Sequence, residues 1–353
     1  MEASTVNLSD DERPNVYASV ITTLIIALAV FAMRVHSRYL TRCSWIASDY
    51  FTLAGLLCSW LVAGLIFYVV HLGVGRHSQL IYSLPLTEVL SIYRNGRIAR
   101  VVITVFYGVG MGFIKVSVLA LYRNIFPSRF IKVGVMILGV LSVAWAVSLV
   151  LVAIFSCNPI NGQWDYGVPA TCIDLRAWYI GNGVINIVTD IMILSLPIRE
   201  VSRLLVDKQT RIFLLGIFLT GAFVSIACAV RLYYSTQVDL SDESWTYTGM
   251  SIWTAVEING GVISACLPIV RPTILHLTPA PIKKALSVLT GSSSSSETPP
   301  VHMGRNPKIN TFGSRSSGSR PRWDRFHHLE NFTNDELELI GNSTTKTNIY
   351  STP

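Results

Sequence analysis

Seven apolar stretches, each long enough to cross a bilayer, constrain this chain more than any other feature. They occupy residues 16–33, 50–70, 101–121, 133–155, 177–197, 212–232 and 247–270. A span needs about 20 apolar residues, within a range of about 17–25. In hydrocarbon the backbone N–H and C=O groups must be satisfied within the protein, so each stretch is predicted to be a helix. Barrel strands would run for about ten residues of alternating polarity, and these stretches do not alternate. Composition agrees. Of 353 residues, 51% are apolar and 14% charged, against about 25% charged in soluble domains, and mean hydropathy is +0.47. These values argue against a soluble enzyme, a disordered chain, a coiled coil or a nucleic-acid binder. The expected fold is an all-α membrane protein: a short N-terminus (1–15), a seven-transmembrane helix bundle (16–272) and a tail (273–353).

The net charge of +7 is read as the loop bias that orients a membrane protein. Thirteen lysines and arginines fall on one side of the membrane, among them Arg34, Arg38, Arg42, Lys132 and Arg211, and six on the other. The N-terminus is therefore expected outside and the C-terminus in the cytoplasm, with the plasma membrane as the expected location. Glu2, Asp10, Asp11 and Glu12 precede the first span. A cleavable signal peptide would have a basic front, so this span reads as an uncleaved anchor. From about residue 280 serine, proline and glycine dominate, including five serines at 292–296. Such a segment buries too little apolar surface to offset its ordering entropy, so disorder is expected. Its loose basic stretch, Arg305 to Arg325, suits a solvated tail, or attraction to anionic lipid or regulation by phosphate. There is no internal repeat to suggest an inverted-repeat transporter.

Of six cysteines, Cys58, Cys228 and Cys266 lie in spans, and Cys43 falls on the cytoplasmic side. Cys157 and Cys172 share one outer loop, where a disulfide fits the oxidising compartment; two free thiols are the alternative. Three glycosylation sequons start at Asn7, Asn331 and Asn342, and this topology exposes only Asn7 to the lumenal machinery. No CxxC pair occurs, and no metal site or cofactor is expected.

Four charged residues fall within the spans: Lys115, Asp190, Arg231 and Glu257. Charge at depth is costly and usually finds a partner in the bundle interior. Lys115 and Asp190 both lie roughly 10 Å from the inner boundary, at about 1.5 Å per residue, which allows an ion pair between the third and fifth spans. Lys115 could instead snorkel to the inner surface. Arg231, one residue from the outer end of its span, is expected to snorkel. Glu257 sits near the midplane, followed by Asn259, Gly260 and Gly261. It is a candidate for a ligand or switch role, or for a structural polar contact.

Several motifs in fixed order resemble one family. Asp49-Tyr50 opens the second span, and G-V-G-R-H follows it at residues 73–77. K-V-S-V-L-A-L-Y-R-N-I-F spans 115–126, and Trp164 lies between Cys157 and Cys172. Asn186, Asp190 and Pro197 mark the fifth span; Trp253, Glu257, Asn259, Cys266, Pro268 and Pro272 mark the seventh. Over roughly 14–272 the chain resembles the fungal rhodopsin-domain integral membrane proteins, which include GPCR-like surface-sensing receptors and membrane proteins of secondary-metabolite gene clusters. The resemblance implies a receptor or sensor. Its partners would be the lipid bilayer, a small-molecule or lipid-like ligand and a candidate G protein; nucleic acid is not among them. Two departures stand out. The family often has two acids where this chain has Ser48-Asp49, and the eight-cysteine extracellular module of some receptors is not expected with fifteen residues before the first span. Retinal is not expected either, because its Schiff base needs a lysine deep in the bundle and 247–270 contains none.

The leading expectation is thus a non-enzymatic receptor with Glu257, Asn259, Lys115, Asp190 and Asn186 as ligand or switch residues. The alternative is a membrane enzyme or transporter serving secondary metabolism. Asp239, Asp242 and Glu243 could hold Mg²⁺ and a diphosphate, although a solvated loop is the plainer reading. His71 and His77 could bind zinc, but no third ligand is spaced to join them.

Overall fold

In a computed structural model the chain is described for residues 10–126, 128–165, 167–203, 208–238 and 242–277. The Asn7 sequon, Asp239 and the tail beyond 277 lie outside these residues. The helices are α1 (Arg13–Leu40), α2 (Ala47–His71), a short α3 (Ser78–Tyr82), α4 (Leu86–Ile125), α5 (Arg129–Phe155), α6 (Leu175–Arg203), α7 (Lys208–Thr236) and α8 (Glu243–Leu277). All but α3 are long and apolar enough to cross a membrane, seven among the described residues. The expected spans lie in these seven helices, which run past them at both ends except in α5, which ends with its span at Phe155. The largest excess is in α4, whose first fifteen residues precede the stretch read from hydropathy.

Apolar side chains face outward as well as inward. On α7, Leu215, Leu219, Phe223 and Ile226 repeat at helical spacing and stay exposed; on α5, Met136, Val140, Val143 and Val147 do the same. In water such stripes would drive association, whereas lipid tails solvate them. The main core joins Val16, Val20 and Ala27 of α1, Leu56, Val62 and Ile66 of α2, Tyr107, Met111 and Ile114 of α4, Leu149 of α5, and Ile258 and Val262 of α8. The α2–α4 contact depends on small residues. A Cβ on Gly110 would stand 2.9 Å from Cys58 Cβ and from Ile258 Cδ1, and one on Gly55 would stand 2.7 Å from Ile114 Cγ1.

One end of the bundle carries a two-stranded hairpin, β1 (Cys157–Asn158) with β2 (Thr171–Cys172), paired antiparallel with Cys157 opposite Cys172. Cys157 and Cys172 form a disulfide. At the same end the turn after α2 has Gly73 at φ 123° and Gly75 at φ 100°, which side chains other than glycine rarely adopt. Gly75 accepts the Glu12 N–H at 3.0 Å and donates to the Ser244 carbonyl at 3.1 Å, fastening the start of α1 to the start of α8. At this turn the described residues weighed for zinc and Mg²⁺ have partners within the protein. His77 Nδ1 lies 2.5 Å from Asp242 Oδ2, its ring stacks on Trp245, and Glu243 pairs with Arg100. Burial works against the charged form of Asp242, but hydrogen bonds from the His77 ring and from Ser78 hold its carboxyl below the usual value. No group of three metal-ligating side chains occurs among the described residues.

The opposite end is held by a polar lock. Arg34, one residue past the first apolar stretch, is buried on α1. Its Nε donates to Asp49 Oδ1 at 2.8 Å, its Nη1 to the Ala265 carbonyl at 2.6 Å and its Nη2 to Ser48 Oγ at 2.8 Å. Arg38 Nε stands 3.1 Å from Asp49 Oδ2, which also accepts the Ile46 N–H at 3.0 Å and so caps α2. Ser48 and Thr52 reach Ser117 of α4. Ser48, where the family often has a second acid, is thus part of a lock joining α1, α2, α4 and α8.

Candidate ligand cavity and buried charge network

Glu257, fourteen residues into α8, is about 20 Å along its axis at 1.5 Å per residue. It is fully buried and partnered. Arg231 Nε donates to Glu257 Oε2 at 2.5 Å, while Tyr107 OH and Asn186 Nδ2 donate to Oε1 at 2.7 and 2.8 Å. Arg231 Nη2 also donates to Tyr107 OH at 3.0 Å, with the guanidinium 4.7 Å from that ring's centroid. Asn186 Nδ2 further contacts Cys228 Sγ at 3.1 Å. Four helices, α4, α6, α7 and α8, thus converge on one carboxylate.

The snorkelling expected of Arg231 does not occur. Its helix continues to Thr236, and the side chain turns into the bundle, where it is 7% exposed. A carboxylate without solvent is a stronger attraction than the boundary, because an unpaired buried charge costs several kcal/mol.

Asn186 links this cluster to a second one. Lys115 Nζ lies 3.0 Å from Asp190 Oδ1, 2.6 Å from Thr189 Oγ1 and 3.2 Å from the Asn186 carbonyl, with the Trp145 ring centroid at 4.8 Å. The expected pairing between the third and fifth spans is present, and Lys115 is buried. The two ion pairs are therefore neighbours in one network. In contrast, Asn259 faces away from it. It accepts from Ser59 Oγ at 2.6 Å and donates to Thr23 Oγ1 at 3.2 Å, tying α8 to α2 and α1. Tyr107, Cys228 and Thr189 were not singled out from sequence, since each is unremarkable in an apolar run. Arg231, 26 residues before Glu257 in the chain, gave only its charge as a signal.

If the Lys115–Asp190 pair carries weight of its own, Asp190→Asn and Lys115→Met each lower the thermal unfolding temperature of detergent-purified protein, and the double variant recovers part of the loss. Interacting polar groups in membranes couple by about 0.6 kcal/mol on average, so the recovered part is small. Strictly additive losses would show that the pair contributes no coupling.

Above Glu257, in the half of the bundle nearer the disulfide, lies a small cavity of about 30 Å³, room for a few water molecules. Arg231 and Tyr107 form its floor, next to the carboxylate they hold. Arg100, Tyr179 and Tyr247 stand toward the disulfide end, and Ile66, Ile103, Leu149 and Met250 give apolar wall. Arg100 pairs with Glu243 and lies 4.6 Å from the Tyr247 ring centroid.

The model of the fungal rhodopsin domain matches residues 33–276, which takes in Arg34, Asp49, both ion pairs and the cavity. The chain belongs to the fungal rhodopsin domain family. As a member of that family with seven apolar helices, this fungal rhodopsin-domain protein is an integral membrane protein. It is 29% identical to Satratoxin biosynthesis SC1 cluster protein 4 of Stachybotrys chartarum, over 47% of this chain and 60% of that relative. It is 27% identical to Polyenoic acids biosynthesis gene cluster protein Ba17b of Metarhizium anisopliae, over 77% of each. It is 25% identical to Receptor GIN3 of Arthrobotrys oligospora, over 84% of this chain and 67% of the receptor. No solved structure matches.

Proposed function

We propose that this fungal rhodopsin-domain protein is a small-molecule receptor that works without retinal, with its N-terminus and disulfide hairpin outside and its tail in the cytoplasm. The observation that carries the reading is the position of Arg231. It lines the cavity and at the same time holds Glu257, whose other oxygen is bonded to α4 and α6. A ligand that draws on Arg231 changes what Glu257, Tyr107 and Asn186 can bond. Asn186 passes that change to the carbonyl that Lys115 uses. The likeness to Receptor GIN3 adds support, and a G protein and the plasma membrane belong to the same proposal.

The orientation rests on the basic bias of the loops and on a disulfide that persists in an oxidising compartment. Glycosidase treatment should shift the mass only through Asn7. A glycan on Asn331 or Asn342 would reverse the orientation.

Cys43 is exposed, the other free cysteines described are buried, and Cys157 and Cys172 are bonded. A solvatochromic dye on Cys43 in nanodisc-held protein therefore reports from the end opposite the cavity. Among fungal secondary metabolites, those that raise the unfolding temperature should also change the dye signal. Ser251→Phe, which fills the cavity wall, and Ser235→Phe nearer its mouth should abolish both effects while the protein still reaches the membrane. The relatives named as biosynthesis cluster proteins favour a second reading, an enzyme or transporter of secondary metabolism. Binders that leave the dye unchanged but are converted, or moved across a liposome, would replace the receptor reading with that one.

A further inference from the structure

The outward stripe of α5 ends in charge. Ile131, Val135 and Leu138 turn inward and pack with Leu119 and Tyr122 of α4 and with Ile193 and Leu196 of α6. That contact fixes the rotation of α5 and sends Val133, Met136, Val140, Val143 and Val147 outward. Arg129 lies eighteen residues before Val147, about five full turns of about 3.6 residues, so it continues the same line. Lys132 stands about 60° to one side of it. Both are exposed, as is Arg123 in the last turn of α4. Three residues separate Ile125, the end of α4, from Arg129, the start of α5.

These cations have no acid near them in the chain. No aspartate or glutamate occurs between Glu88 and Asp165. Among the described residues, no ion pair includes Arg123, Arg129 or Lys132. The first turn of α5 holds no acid either, although a helix start favours anions and disfavours cations. The exposed side chains between the cations are apolar: Ile125, Phe130 and Val133. Aromatic rings and long basic side chains together mark the boundary between hydrocarbon and headgroups. Because Arg129 and Lys132 continue a lipid-facing stripe, they point sideways into the headgroup layer. A soluble partner would meet the end of the bundle instead.

We propose that this corner binds an anionic phospholipid, its headgroup on Arg123, Arg129 and Lys132 and its acyl chains along the outward stripe of α5. Guanidinium and ammonium supply charge-assisted hydrogen bonds to the phosphate, and the stripe supplies contact for the chains. The proposal is independent of the receptor reading, since it needs only that this end of α5 meets a leaflet.

The test mixes the full chain in mild detergent with equal amounts of phosphatidylcholine and phosphatidylserine of identical acyl chains. Retained lipid is counted by native mass spectrometry. Phosphatidylserine should be retained in preference. Arg123→Gln/Arg129→Gln/Lys132→Gln should lower the serine-to-choline ratio about tenfold or more. Its unfolding temperature in phosphatidylcholine should not fall, because all three side chains are exposed. Arg129→Gln alone should lower the ratio about threefold, which keeps the test open if the triple variant expresses poorly. Arg76→Gln/Arg94→Gln/Arg176→Gln removes the same formal charge at the disulfide end and should keep the preference. An equal loss in that control would show attraction to net charge only and overturn the site. Wild-type protein without a preference for phosphatidylserine would overturn it too, and leave the corner to an acidic protein partner. Displacement of the lipid by millimolar inorganic phosphate would assign the corner to a soluble anion and sink the lipid assignment. None of these failures touches the receptor reading, which is tested through the dye on Cys43.

Discussion

Glu257→Gln should be among the most damaging single substitutions in this protein. It leaves the Arg231 guanidinium buried against a neutral amide, beside Tyr107 and Asn186 that lose their charged acceptor. Stranding one member of a buried pair costs about 3–5 kcal/mol. The expected result is a large drop in folded yield and in unfolding temperature. Arg231→Met strands Glu257 and should cost a similar amount. The double variant removes both charges at once, so it should be more stable than either single one. The coupling energy from that cycle should exceed the average of about 0.6 kcal/mol for polar pairs in membranes, because one carboxylate serves three donors on three other helices. Additive losses across the cycle, measured by thermal unfolding in one detergent, would show the pair to be energetically independent.

The polar lock at the other end predicts an asymmetry. Asp49→Ala should be far more damaging than Arg34→Met. Removing Asp49 strands Arg34 and Arg38 together and uncaps the first turn of α2. Removing Arg34 leaves Asp49 with Arg38 and the Ile46 N–H, although the Ala265 carbonyl loses its donor. Asp49→Ala should therefore fall in the range of about 3–5 kcal/mol for breaking a buried pair, with Arg34→Met clearly milder. Unfolding temperatures in the reverse order would mean that the bond from Arg34 to α8 matters more than the charge balance at Asp49.

How far each of these sites was legible in the sequence follows from what fixes it. Lys115 and Asp190 could be matched because depth along two spans running in the same direction is a one-dimensional quantity, counted in residues. Cys157 and Cys172 could be matched because one loop holds both. Arg231 and Glu257 could not. Hydropathy falls away near Leu232, so Arg231 looked like a boundary residue, whereas α7 runs to Thr236 and hydrogen bonding, unlike hydropathy, carries a helix on through tyrosine and serine. Arg34 was misplaced for the same reason: it follows Met33, the last residue of an apolar run, but α1 continues to Leu40 and buries it.

The amino-acid sequence by itself determined which segments leave water and that they must do so as helices, because transfer energy and the hydrogen-bonding demand of the backbone in lipid are local. It also set the number of spans and the loop that the disulfide closes. Tertiary structure alone decided how each helix is rotated about its axis. That rotation sends Glu257 toward Arg231 and Asn186, and Asn259, two residues on, toward Ser59 and Thr23. Two residues of helix turn a side chain by about 200°, so neighbours in sequence serve opposite faces. Which face meets which neighbour depends on the close approach of other helices, such as α2 and α4 at Gly55 and Gly110, and is not encoded in any single span.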